Sequence, residues 1–219
     1  MTDVTETSKE TGRIEAFSDG VFAIAITLLV LDIKVPRDAP DGSRLLHALL
    51  FQWPAYLAFV ISFATIGIMW INHHRLFTLI RRVDHLLLIF NGLLLLGVTF
   101  VPFPTALIAE YAQQRGGSVA AMVYTGTFAV LAVFFNVLWR YASYKNRLLH
   151  PSVRPAAVKA ITRAYSFGPP LYFLSVGLAL VSAPMGLAMN AALALYFALP
   201  SRPVGTGTEF DSSSTAHST

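Results

Sequence analysis

An aspartate set inside an apolar helix is the feature of this sequence most able to do chemistry. Asp19 lies in the stretch Arg13–Leu31, whose first turns are polar and whose last three turns are almost purely apolar. A carboxylate there needs a partner or water, because charge is costly near hydrocarbon unless it faces protein or an aqueous path. The residues able to donate to it are Arg13, Trp70, His73, His74 and Asn91. Glu15 stands four residues before Asp19, and Arg13 precedes both. Further along the same segment, Ile24, Leu28 and Leu31 fall at i, i+4 and i+7, with Thr27 beside them, and so share one helix face. Such a stripe has two uses in a membrane: helix packing, or a narrow apolar constriction that closes by dewetting.

His73-His74, with Asp84 and His85, raises the question of a metal site. Adjacent residues of a helix point in different directions, and no His-Glu-x-x-His pattern is present to put two ligands on one face. Hydrogen bonding near a membrane interface fits these imidazoles better than metal ligation, and their titration near neutrality offers a route to pH sensitivity. With no cysteine in the chain, disulfides, thiolate catalysis and cysteine metal sites are excluded. No nucleophile–base pair is evident either, so no enzyme is expected.

The elements that must position these residues are membrane helices. Of 219 residues, 55% are hydrophobic and 13% charged, about half the charge of an ordinary soluble domain. Several apolar runs reach the ~20 residues needed to cross a bilayer. The fold class expected is all-α membrane protein with six transmembrane helices. Residues 1–11 are expected to be a mobile cytoplasmic N-terminus, 12–200 a six-helix domain and 201–219 a disordered tail. The first helix covers 12–33, ended by Pro36 and Pro40. The second covers about 47–71, kinked near its start by Pro54; the third, about 84–108, is broken at its far end by Pro102 and Pro104. The fourth runs over about 118–141, the fifth over 161–181 and the sixth over 185–199, the last two alternatively forming one long re-entrant element. Gly92, Gly97, Gly168, Gly177 and Gly186 offer close helix approach.

Charge orients the helices. With the N-terminus inside, twelve basic residues face the cytoplasm and four (Lys34, Arg37, Arg44, Arg115) the other side, which puts both termini in the cytoplasm. Arg140, Lys145, Arg147, Arg154, Lys159 and Arg163 make a basic belt suited to anionic headgroups.

Arg13-x-x-x-Phe17-Ser18-Asp19, followed by Ala23-Ile24, Thr27 and the run to Pro36, resembles the first-helix signature of the transmembrane protein 175 family of lysosomal and prokaryotic potassium channels. Trp70-x-x-His73-His74-x-x-Phe77 closes the second helix in a similar way. The resemblance implies a single-repeat prokaryotic member, a homotetramer in the cell membrane with four first helices around the axis. It implies that Ile24 forms the narrowest ring and that Leu28 and Leu31 continue it outward, with Thr27 adjacent. Phe17, Ser18 and Asp19 would then hold that helix to its neighbours, in a network with Arg13, Trp70, His73, His74 and Asn91. The expected function is a potassium-preferring cation channel; the partners are copies of itself, membrane lipids and permeant potassium ions, with no cofactor and no nucleic acid. No Thr-Val-Gly-Tyr-Gly filter loop is present, so a ring of filter carbonyls of that kind is not available. Two alternatives stay open: a proton channel or carrier using Asp19 and His73/His74, and a non-conducting scaffold or intramembrane enzyme using His73, His74 and Asp84.

Overall fold

A computed structural model describes the backbone of residues 2–37 and 41–198, and side chains from residue 10 onward; the expected tail 201–219 lies outside the described residues. The described chain is helical: α1 Thr2–Leu28, α2 Gly42–Phe51, α3 Trp53–Phe77, α4 His85–Phe100, α5 Pro102–Tyr111, α6 Gly117–Ser143, α7 Pro155–Val181 and α8 Ala183–Ala198. Five segments are long and apolar enough to cross a membrane: Glu10–Asp32, Trp53–Phe77, His85–Tyr111, Gly117–Asn146 and Pro155–Val181. α8 is apolar but shorter.

Several boundaries differ from the sequence expectation, each for a local reason. α1 starts at Thr2, not Gly12. Residues 2–11 contain no proline or glycine, so nothing in the sequence breaks the helix before Gly12. At its other end α1 tightens into a 3-10 turn over Leu29–Asp32. Pro54 does not kink the second run; it sits in the first turn of α3, where its missing N–H leaves no bond unmade. The chain is broken just before it, at Gln52, and the preceding piece becomes α2, capped by Asp41 accepting from the Arg44 N–H at 2.8 Å. Pro102 does break the third run, α4 ending at Phe100, and it then opens α5. Pro169 and Pro170 stay inside α7, as membrane helices tolerate.

α6 is the hub. It packs on α4, α5, α7 and α8, and it supplies Trp139, Tyr124 and Phe128, among the largest fully buried side chains. α7 and α8 run antiparallel, for Gly186 lies against Ala179 while Phe197 stacks on Tyr172. They are two helices parted at Ser182, whose extended backbone ends α7. A Cβ at Gly186 would meet the Ala179 backbone at 2.7 Å, and one at Gly97 the Leu131 side chain at 2.7 Å; these two glycines permit close approach. Gly92 and Gly177 face open space and have no such role within the chain.

At one end of the bundle, a short antiparallel bridge joins Ile80 to Leu149, and Asp84 caps α4 by accepting from the Leu87 N–H at 2.9 Å. The same carboxylate receives the Tyr141 hydroxyl at 2.6 Å and the Arg147 guanidinium at 3.1 Å. At the opposite end Lys34 pairs with Glu110 at 3.0 Å.

Candidate pore helix and its anchor

α1 leans on α3 and α4 through one face only. Phe22, Ala25 and Leu29 are buried there, with Ala25 and Leu29 at 0% exposure. On the other side Ile24 is 60% exposed and Leu31 70%, and Thr27 and Leu28 are exposed with them. The bare stripe extends down the helix through Ala23, Gly20 and Phe17 to Arg13. The expected constriction residues therefore lie together on a face that nothing in the single chain covers. Thr27 turns its hydroxyl back to the Ile24 carbonyl at 2.9 Å, so its methyl, rather than a free hydroxyl, is left to the stripe.

The covered face is fastened by polar bonds. Trp70 Nε1 of α3 donates to Asp19 Oδ1 at 2.8 Å, so Trp70 is the partner among the five donors considered. One turn along both helices, His74 Nδ1 meets Glu15 Oε1 at 2.5 Å. Sequence reasoning noted Glu15 but gave it no partner. A signal existed: Glu15/Asp19 and Trp70/His74 are both i, i+4 pairs, which two packed helices can match rung for rung.

The second fastening is fully buried. Ser18 and His73 are 0% exposed and Asn91 nearly so. His73 Nε2 lies 2.9 Å from Asn91 Oδ1, Asn91 Nδ2 donates to Ser18 Oγ at 3.0 Å, and Ser18 Oγ donates to the Ile14 carbonyl at 2.8 Å. Direction follows from chemistry: the amide oxygen only accepts, so His73 carries its proton on Nε2. Its Nδ1 has no hydrogen-bond partner among the described residues, and the Phe22 and Phe77 rings flank the imidazole at 5.3 and 4.4 Å. Buried polar groups arranged this way fix α1, α3 and α4 in one register. Arg13 and Phe17 stand outside this network in the single chain: both are exposed, Phe17 by 68%.

The set considered for a metal is dispersed: His73 faces Asn91 while Asp84 is taken by Tyr141 and Arg147. Among the described residues no three His, Asp or Glu side chains are grouped to hold an ion. At the Lys34–Glu110 end of the bundle, Asp32 shares a pocket with Lys34, Gln52 and Glu110; sequence reasoning used Lys34 only for orientation and did not single out the other three.

Comparison with known proteins places this geometry. Residues 13–102 match the family model described as endosomal/lysosomal potassium channel TMEM175. The chain is 53% identical over 193 residues to a potassium channel of Chamaesiphon minutus, covering 88% of this chain and 95% of that one. It is 50% identical to a potassium channel of Streptomyces collinus, covering 90% and 96%. The chicken (Gallus gallus) endosomal/lysosomal proton channel TMEM175 is 37% identical over 150 residues, 65% of this chain but only 29% of that much longer one. The crystal structure of a lysosomal potassium-selective channel TMEM175 homolog from Chamaesiphon minutus superposes with a TM-score of 0.79 at 51% identity, over 87% of this chain and 97% of that one. This chain belongs to the TMEM175 family.

Proposed function

We propose that this protein is a potassium-preferring cation channel of the prokaryotic cell membrane, built as a homotetramer with α1 lining the central pore. The observation that carries the proposal is the two-sided character of α1: its inner face is buried and polar-bonded to α3 and α4, while Ile24, Thr27, Leu28 and Leu31 are left bare. Four copies meeting at an axis would cover that stripe and enclose an apolar constriction, with Ile24 as the narrowest ring. In this reading α8 makes the sixth crossing, and the basic end of the bundle, with both termini, faces the cytoplasm. The potassium channels named above, related over nearly their whole length, support the choice of ion.

The test is purified protein in liposomes. Potassium flux should exceed sodium flux under equal gradients, and protein that passes neither ion would refute the proposal.

A proton path is the second reading, favoured by the likeness to the chicken endosomal/lysosomal proton channel. The chain of bonds beside α1 argues against a relay through His73. It runs from imidazole to amide to hydroxyl and ends on the Ile14 carbonyl, a group that takes up no proton. Reversal potentials measured across separate pH and potassium gradients distinguish the two.

A further inference from the structure

From Tyr111 to Thr208 the sequence contains no aspartate or glutamate, yet it carries seven basic residues before Pro200. Six of them, from Arg140 to Arg163, collect where α6 ends and α7 begins. Asp84, contributed by the turn before α4, reaches one of them, Arg147. Charge of one sign packed along two helices repels itself, and the stretch from Tyr111 to Thr208 has no acid of its own to offset it.

The helices present part of this charge in an ordered way. α6 and α7 are antiparallel and in fixed register, since Asn136 Nδ2 donates to the Tyr165 carbonyl at 2.7 Å and Trp139 Nε1 to Thr162 Oγ1 at 2.9 Å. Arg140 is held across the seam. Its Nε donates to Asn136 Oδ1 at 2.7 Å and one Nη to Ser166 Oγ at 2.9 Å, which leaves the remaining guanidinium N–H groups free to meet an anion. Arg163 and Lys159 precede Ser166 by three and seven residues and so rise on the same face of α7. Both are exposed, with no ion pair or hydrogen bond to a described residue. Directly beyond Ser166 the surface turns apolar at the exposed Phe167. Cations above an aromatic, at the end of membrane-spanning helices, match a phosphate headgroup above acyl chains.

We infer that the α6–α7 seam at Arg140, Lys159 and Arg163 binds the headgroup of an anionic phospholipid. The inference needs the helices to lie in a bilayer but is independent of where the pore runs or what passes through it.

The experiment measures lipid binding to the purified, assembled protein in detergent by native mass spectrometry, with phosphatidylglycerol and phosphatidylcholine as probes. Phosphatidylglycerol should bind selectively. Lys159→Gln with Arg163→Gln should weaken it roughly 30-fold, taking the usual surface contribution of each cation. If that pair fails to assemble, Lys159→Gln alone should weaken binding roughly fivefold. Arg37→Gln with Arg44→Gln removes equal charge at the other end of the bundle and should leave binding unchanged. Three results overturn the inference: equal binding of phosphatidylcholine, an equal loss in the Arg37/Arg44 control, or competition by soluble glycerol phosphate at the same concentration, which would mark a site for free anions and not for lipid.

Discussion

The indole N–H of Trp70 and the carboxylate of Asp19, 2.8 Å apart, tie the bare-faced helix α1 to α3. The bond joins the covered side of α1 to its neighbour, so its task is to hold the helix at a fixed rotation. Asp19→Asn keeps an acceptor but loses the charge that strengthens the bond. It should lower the thermal midpoint of the purified protein by the equivalent of about 1 kcal/mol while leaving the potassium-to-sodium flux ratio unchanged. A changed ratio with no loss of stability would move Asp19 into the permeation path.

Ile24→Asn replaces an apolar side chain on the uncovered face with a polar one. Placed in a ring of four, the amides should wet the constriction and raise single-channel conductance or liposome flux. A variant that assembles normally and conducts as before would show that Ile24 is not the narrow point.

Asn91 bridges two helices that would otherwise each bury an unpaired group. Asn91→Leu keeps the branched shape but strands the Nε2 proton of His73, which is fully buried. The expected loss is about 1–3 kcal/mol of stability, read as a fall in the denaturation midpoint in detergent. Ion preference should not change, since neither residue lies on the bare stripe of α1.

Asp84 gives a pH prediction. Its partial burial raises the carboxyl pKa, but the Tyr141 hydroxyl, the Leu87 N–H and the Arg147 guanidinium outweigh this and hold it below the usual carboxylate range. A carboxyl with a lowered pKa in the fold stabilises that fold above its unfolded value, about 3.9, and the contribution is lost as pH falls through the folded value. The wild-type chain should therefore lose stability on acidification below about pH 4 more steeply than Asp84→Asn. Thermal midpoints compared between pH 3 and pH 7 check this, and identical slopes would contradict it.

What sequence reasoning recovered was local. Period 3.6 put Ile24, Leu28 and Leu31 on one face, and the structure leaves that face bare. Asp19 was marked as needing a partner because an isolated charge among apolar residues is costly at any position. Which partner it finds depends on the rotation and register of α1 against α3, which no local pattern carries, so five donors stood equal until the helices were packed. The same limit hid which bonds join His73, Asn91 and Ser18, residues that the family resemblance had already grouped in one network, whereas the Glu15–His74 pair was signalled by matching i, i+4 spacing and missed. Prolines were legible in part: Pro102 ends α4 as expected, but Pro54 and Pro102 also begin helices, since a proline in the first turn costs nothing that its absence would save. Gly92 and Gly177 show that a small residue in an apolar run is not by itself a contact.

The four-residue 3-10 turn after Leu28 sets where Leu31 points. In that tighter winding residues three apart eclipse, which stacks Leu31 directly over Leu28. Rewound as ordinary α-helix, at 3.6 residues per turn instead of 3.0, the same three steps would carry Leu31 about 60° around the axis. The outermost leucine is thus coupled to the pitch of its own backbone, and a change of winding confined to Leu29–Asp32 would swivel it like a vane while Ile24 stayed still.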